Sequence, residues 1–136
     1  MNQNDLHNKT LGYAAENVAK RYYENLGWYI VSQNQTERGS ELDLVFRKDS
    51  GNKAQILFVE VKSVETNNRD KLTPEDNFTK SKQKYFKRGI ELYLAKNKLI
   101  SDNLDIRIDL ACVYYHSHKP KQEQWTIKIY ENIILE

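Results

Sequence analysis

From Leu11 the apolar positions Leu11, Ala15, Val18, Ala19, Tyr22 and Leu26 recur at the spacing of a helix with one buried face, and Gly27 supplies its stop. The next apolar segments change period. "WYIVS" (28–32) is rich in β-branched and aromatic residues, as a strand requires. "ELDLVFR" (41–47) alternates, with Leu42, Leu44 and Phe46 on one side and Glu41, Asp43 and Val45 on the other. After the turn-forming "KDSGNKAQ", the stretch "ILFVEVKS" (56–63) places Leu57, Val59 and Val61 on one face and Phe58, Glu60 and Lys62 on the other. The last two strands read as an antiparallel hairpin.

Residues 64–77, "VETNNRDKLTPEDN", are polar, contain Pro74 and carry no period, which predicts a long mobile loop of the kind that is often functional. A second helix is predicted over Ser81 to Asn97, with Phe86, Ile90, Tyr93 and Leu94 as its inner stripe. "DIRIDLACVYY" (105–115) alternates Ile106, Ile108, Leu110 and Cys112 inward, and "QWTIKIYENIILE" supplies one or two closing strands. Neither repeats nor linkers interrupt this order. Helix, three strands, helix, then strands predicts an α/β fold, a mixed central β-sheet flanked by helices in α-β-β-β-α-β order, as one domain over residues 1–136.

The hairpin raises a chemical question, because its apolar strand carries Glu60 and Lys62 two apart. If Asp43 pairs near Glu60, their Cβ atoms lie about 4.5–5.5 Å apart when directly opposed, or about 7–8 Å one register away. Two carboxylates so placed can share a divalent cation such as Mg²⁺, which takes oxygen ligands. Lys62, about 6.6 Å beyond Glu60 on the same face, could reach a scissile phosphate. The plain alternative is a half-exposed sheet face whose Asp43, Glu60 and Lys62 form ion pairs of small energetic value. Against it stand the matched parity of Asp43, the apolar character of the strand and the cost of gathering like charges beside it without a cation.

Charge changes the picture locally rather than globally. The net charge of +2 is too mild to require a polyanionic partner. Between Thr79 and Lys98, however, Lys80, Lys82, Lys84, Lys87, Arg88, Lys96 and Lys98 face one acid, Glu91. This run is either a solvated helix face or a surface for phosphates, with Lys80, Lys82, Gln83, Lys84, Lys87 and Arg88 as the candidate nucleic-acid contacts. The single cysteine, Cys112, makes no internal disulfide, and "MNQNDLHNKT" lacks the form of a secretion signal, so a reducing cytoplasm is the expected setting. The glycosylation patterns at Asn8, Asn34 and Asn77 then carry no weight, and no apolar run has membrane-spanning length. His7, His116 and His118 lack metal-ligand spacing and receive no role.

Asp43 followed by Glu60-Val61-Lys62 resembles the PD-(D/E)XK signature of the restriction-endonuclease-like nuclease fold. "GYAAENVA" (12–19), with Tyr23, Gly27, Asn34, "GSELDL" (39–44), "FVEVK" (58–62), "KQK" (82–84) and "RIDL" (107–110), is similar to the bacterial YraN family over nearly the whole chain. Ala15 and Ser40 depart from that pattern where glycines are usual; neither removes a ligand, although Ser40 adjoins Glu41.

The resemblance implies a metal-dependent DNA endonuclease, related to Holliday-junction resolvases. Asp43 and Glu60 would hold Mg²⁺ or Mn²⁺, Lys62 would be the catalytic lysine, and Glu16 a helical acid near the metal. DNA, with branched forms among the substrates, is then the expected partner and no membrane is involved. A homodimer would let two sites act on paired strands. The residues alone leave Glu16 balanced between site acid and exposed helix glutamate, Glu41 between rim charge and ligand, and Asp109 between pairing with Arg107 or a lysine and a functional role. The competing class is a nucleic-acid-binding or assembly module that retains the fold without turnover, and a third reading is a structural protein with a charged sheet face.

Overall fold

Two tight hairpins define the first half of the sheet. Ser50 pairs with Lys53 across Gly51-Asn52, and Gly51 has the positive φ of 61° that a two-residue hairpin with glycine first requires. Glu37 pairs with Ser40 across Arg38 and Gly39, both left-handed at φ 46° and 87°. The computed structural model describes residues 3–67, 73–99 and 104–135. Its elements are α1 (Gln3–Asn25), β1 (Tyr29–Glu37), β2 (Ser40–Ser50), β3 (Lys53–Glu65), α2 (Lys80–Lys96), β4 (Leu104–Tyr115), a 3₁₀ turn (Lys121–Glu123) and β5 (Trp125–Tyr130). The sheet runs β1-β2-β3-β4-β5. Only β3 and β4 are parallel, α2 falling between them in the chain, so the sheet is mixed as the element order predicts.

Apolar side chains cover both faces. On one, Ala15, Ala19 and Tyr23 of α1 pack with Trp28, Leu44, Phe46, Leu57, Val59, Ala111 and Val113. On the other, Phe86, Ile90 and Tyr93 of α2 pack with Leu42, Val45, Ile56, Phe58, Phe78, Leu110 and Cys112. The predicted faces of β3 hold, with Leu57 and Val59 toward α1 and Phe58 toward α2. Strand β2 differs from the expectation: Leu44 and Phe46 face α1, whereas Leu42 faces α2 with Val45. The strand changes facing near residue 43, and Gly89 receives Leu42 there. A Cβ on Gly89 would stand 3.1 Å from Leu42 Cδ2 and 3.3 Å from Ser40 Cβ.

Several boundaries also move. Helix α1 begins well before Leu11, and Leu26 lies past its end at 51% exposure. The amides of Leu26 and Trp28 both close on the Tyr23 carbonyl, with Gly27 at φ 93°, so Trp28 is the residue turned into the core. β1 continues to Glu37, with a register shift between Ile30 and Ser32. On β4, Ile106 is 44% exposed rather than inward. β5 pairs with β4 only from Leu110 onward, and beyond it the Ile133 amide still donates to the Ile108 carbonyl at 2.8 Å. One closing strand forms, not two. The predicted loop at 64–77 is shorter: Val64 and Glu65 pair with Tyr114 and Tyr115, and residues 73–78 form turns. In those turns Pro74 is buried, and Glu75 accepts hydrogen bonds from Tyr114 Oη (2.7 Å) and Tyr130 Oη (3.0 Å). Residues 68–72 of that expected loop lie outside the described residues.

Asp109 has no exposed surface and accepts from Tyr23 Oη (2.8 Å), Arg107 Nε (2.9 Å), Arg107 Nη2 (2.8 Å) and the Asn132 amide (2.9 Å). Of its two sequence readings, the pairing with Arg107 is the one realised. The bonds satisfy a charge that would otherwise be very costly inside, and they tie α1, β4 and the segment after β5 together. No helix among the described residues is long and apolar enough to cross a membrane.

The close seat of α2 on β2 generates a prediction. Gly89→Val should lower the free energy of unfolding by about 1–3 kcal/mol, the range for overpacking a filled contact. Urea denaturation measures it.

Candidate active site

The pairing of β2 with β3 runs from Ser50↔Lys53 to Leu44↔Val59. At the next step a side chain enters the ladder, because Asp43 Oδ2 accepts the Val61 amide hydrogen at 2.9 Å. This bond anchors Asp43 where the backbones part. Glu60 extends from the neighbouring position of β3, its side chain 12% exposed, within electrostatic reach of Asp43. Burial first, then the Asp43 charge, raises the Glu60 carboxyl well above the usual carboxylate range. Lys62 opposes that shift, its Nζ standing 3.5 Å from Glu60 Oε1.

Glu16 reaches the same aspartate from α1. It follows fully buried Ala15, so it lies at the margin of the helix face that packs on the sheet. Burial, followed by the charge of Asp43, pushes its carboxyl up to about 7; a hydrogen bond from Asn34 pulls it down, and Glu41 adds a smaller upward push. Glu16 Oε2 and Asn34 Oδ1 are both enclosed with no hydrogen-bond partner among the described residues. Asn34 itself sits in the left-handed region at φ 52°, which asparagine tolerates better than most side chains.

Asp43 is therefore the acid whose charge acts on both Glu60 and Glu16. Among the described residues, no three histidine, cysteine, aspartate or glutamate side chains stand close enough to hold one metal ion as they are placed. The donor chemistry still fits a hard cation. All the groups are carboxylate or amide oxygens, two of the carboxyl groups hold protons more tightly than usual, and one oxygen of Glu16 lacks a donor.

The basic set on α2 divides. Lys80, Lys84, Lys87 and Arg88 fall on one outer side at helical spacing, all exposed. Lys84, Lys87 and Arg88 line a shallow depression with Ser81, Tyr85 and Glu91. Lys82 and Gln83, also expected at a phosphate, turn toward the preceding segment. Lys82 Nζ donates to Asn77 Oδ1 (2.6 Å) and Gln83 Nε2 to the Phe78 carbonyl (3.1 Å), while Thr79 caps the helix. Sequence reasoning gave no role to Asn34 or to the Val61 amide. A backbone donor has no sequence signature, and the side chain of Asn34 meets Glu16 only through tertiary packing. The histidines serve as local pairs: His7 meets Glu65 at 2.7 Å, and His116 bridges Thr66 and Thr126 at 2.9 Å each.

The sequence pattern of the uncharacterised protein family UPF0102 matches residues 15–113, which include all of the residues at this site. Among curated relatives, a UPF0102 protein of Clostridium perfringens is 30% identical over 117 residues, covering 86% of this chain and 89% of the relative. One from Geobacter metallireducens is 30% identical over 118 residues, 87% and 90% of the two chains. Another from Photobacterium profundum is 30% identical over 108 residues, 79% and 82%.

The raised proton affinity of Glu16 gives a signed pH dependence. The unfolded chain loses this proton near 4.5 and the folded chain near 7, so stability falls as pH rises through that window and is level above it. Glu16→Gln should remove a penalty on the order of 2–3 kcal/mol at pH 7.5 and change little at pH 4. Urea midpoints at the two pH values test this.

Proposed function

Because this chain belongs to the uncharacterised protein family UPF0102, its chemistry must be read from its own side chains, and we propose that it is a metal-dependent DNA endonuclease of the PD-(D/E)XK type. The observation that carries the reading is Asp43 held on the Val61 amide at 2.9 Å where β2 and β3 part, with Glu60 the residue before that amide and the Lys62 ammonium 3.5 Å from Glu60. Asp43 and Glu60 would hold Mg²⁺ or Mn²⁺, with Glu16 supplying a further carboxylate. A divalent cation bound there supplies Lewis acidity at a phosphodiester and makes water a stronger nucleophile.

The chain's own groups account for the rest. Asp43 is anchored by the Val61 amide, so its carboxylate is fixed relative to β3. Glu60, whose carboxyl holds its proton more tightly than usual, would have to lose it to serve as a ligand. Lys62, half-buried beside Glu60, directs positive charge at the phosphoryl oxygens as negative charge grows on them. The outer side of α2, through Lys80, Lys84, Lys87 and Arg88, takes backbone phosphates. Phosphate contacts carry no base sequence, which suits an enzyme that selects DNA by shape, branched forms included. A second reading, a binding module without turnover, is favoured by one observation: each acid already has a protein partner, Asp43 the Val61 amide and Glu60 the Lys62 ammonium.

Cleavage assays separate the two readings. Wild type and Asp43→Asn, which keeps an oxygen for the Val61 amide, are incubated with junction, flap, linear duplex and single-stranded DNA plus Mn²⁺. The nuclease reading expects the variant to lose on the order of 10²-fold or more in rate while still binding DNA. Equal, negligible cleavage by both proteins on every substrate, with binding intact, establishes the module. Separately, replacing Lys84, Lys87 and Arg88 by alanine should weaken DNA binding and flatten the plot of log affinity against log salt by about 0.7–0.9 for each phosphate no longer neutralised. An unchanged slope removes α2 from the interface.

A further inference from the structure

Asn34 has a conformation and a pair of contacts that its place in β1 does not require. Its φ of 52° lies in the left-handed region, shortly after the register shift between Ile30 and Ser32. Its side-chain amide hydrogen-bonds Glu16 on α1. Two acceptor oxygens remain enclosed with no hydrogen-bond partner among the described residues, Glu16 Oε2 and Asn34 Oδ1. A buried acceptor without a donor is costly, and two on a hydrogen-bonded pair of side chains compound that cost. No donor from the described residues meets either oxygen, and Asp43, which acts on Glu16 through space, accepts the Val61 amide rather than supplying one. A cation answers all of them at once.

We infer that Asn34 and Glu16 act as one oxygen pair for the divalent cation: the Asn34 amide nitrogen holds the Glu16 carboxylate in place, and Asn34 Oδ1 is itself a donor atom. The inference rests on the reading of Asp43, Glu60 and Glu16 as the cation-binding acids and adds a neutral ligand to them. It explains why the helical glutamate stays at the edge of the core instead of turning to solvent. It also explains why the residue opposite is an amide, which presents a nitrogen to the carboxylate and an oxygen to the ion; a second carboxylate would repel Glu16. Mg²⁺ and Mn²⁺ accept such mixed carboxylate and amide oxygen sets.

The test is Mn²⁺ titration by calorimetry at pH 7.5 without DNA, on wild type, Asn34→Gly, Asn34→Asp and Asp43→Asn. Glycine adopts φ 52° freely, so Asn34→Gly removes the side chain and keeps the backbone; thermal melts without metal verify that each variant is folded. Asn34→Gly should weaken Mn²⁺ binding by about 10–100-fold, the usual cost of losing a group that orients a ligand. Asn34→Asp, which restores an oxygen for the ion but no nitrogen for Glu16, should recover part of that loss. In wild type, Mg²⁺ should shift the side-chain amide resonances of Asn34 in a ¹⁵N spectrum. Binding by Asn34→Gly as tight as wild type overturns the inference while leaving the acids in place, provided Asp43→Asn is weakened. Weak binding by both Asn34 variants overturns the donor role of Oδ1 and leaves the clamp. Absence of Mn²⁺ binding by wild type overturns this inference together with the reading on which it rests.

Discussion

The bond from the Val61 amide to Asp43 Oδ2 is the constraint on which the site depends. An antiparallel pair that continued past Leu44↔Val59 would spend the Val61 region on backbone partners and leave Asp43 as one more strand side chain. A carboxylate takes the donor instead. β2 is thereby free to diverge, and the divergence has two results. Leu42 goes over to the α2 face, where the missing Cβ of Gly89 gives it room. Asp43 is left between an acid of β3 and an acid of α1, with one oxygen already fixed. The same local break that seats the helix also assembles the acids.

Two ways of burying an acid stand side by side in this chain. Asp109 is enclosed completely and receives four hydrogen bonds, two from one guanidinium, so its charge is matched inside the protein. Glu75 is matched similarly by two tyrosine hydroxyls, which hold the turns ahead of α2 and so fix where the basic helix begins. Glu60 and Glu16 are not matched. Glu60 faces the Asp43 charge and an ammonium at 3.5 Å, and Glu16 has one oxygen with no donor among the described residues. Acids that serve only the fold acquire donors; Glu60 and Glu16 instead have raised proton affinity, which on the nuclease reading a cation would have to overcome.

Strand parity was legible because β3 is a regular strand covered on both sides: the alternation from Ile56 to Lys62 assigns faces without further information. Parity plus hairpin register predicts Asp43 near Glu60; the ladder stops one step short of that pair, at Leu44↔Val59, and Asp43 takes the Val61 amide. What parity cannot convey is a change of facing within a strand, and Leu42 was assigned to the wrong side for that reason. Nor does a period-2 pattern reveal Asp109 and Tyr23, whose burial depends on each other across the fold. Lys82 and Gln83 illustrate a different limit. Charge on a helix was readable, but both residues stand in the first turn, where Asn77 and the Phe78 carbonyl compete for their donors. Lys84, Lys87 and Arg88 stand further along the helix and line its outer depression.

Charge balance connects the acids to the basic helix. A phosphodiester approaching Asp43, Glu60 and Glu16 brings more negative charge to a place already crowded with it, and Lys62 alone cannot offset three carboxylates. Burial and the Asp43 charge raise the proton affinity of Glu60 and Glu16, which eases the crowding at the expense of the charged form that would bind an ion. A divalent cation would exchange those protons for two positive charges, turning a site that resists a phosphate into one that attracts it. On the nuclease reading, cation and nucleic acid therefore bind with positive coupling through the same carboxylates, while the α2 cations supply attraction that does not depend on the ion. On that same reading the coupling is reciprocal, so DNA held on α2 tightens the ion as the ion tightens DNA, and neither has to bind first.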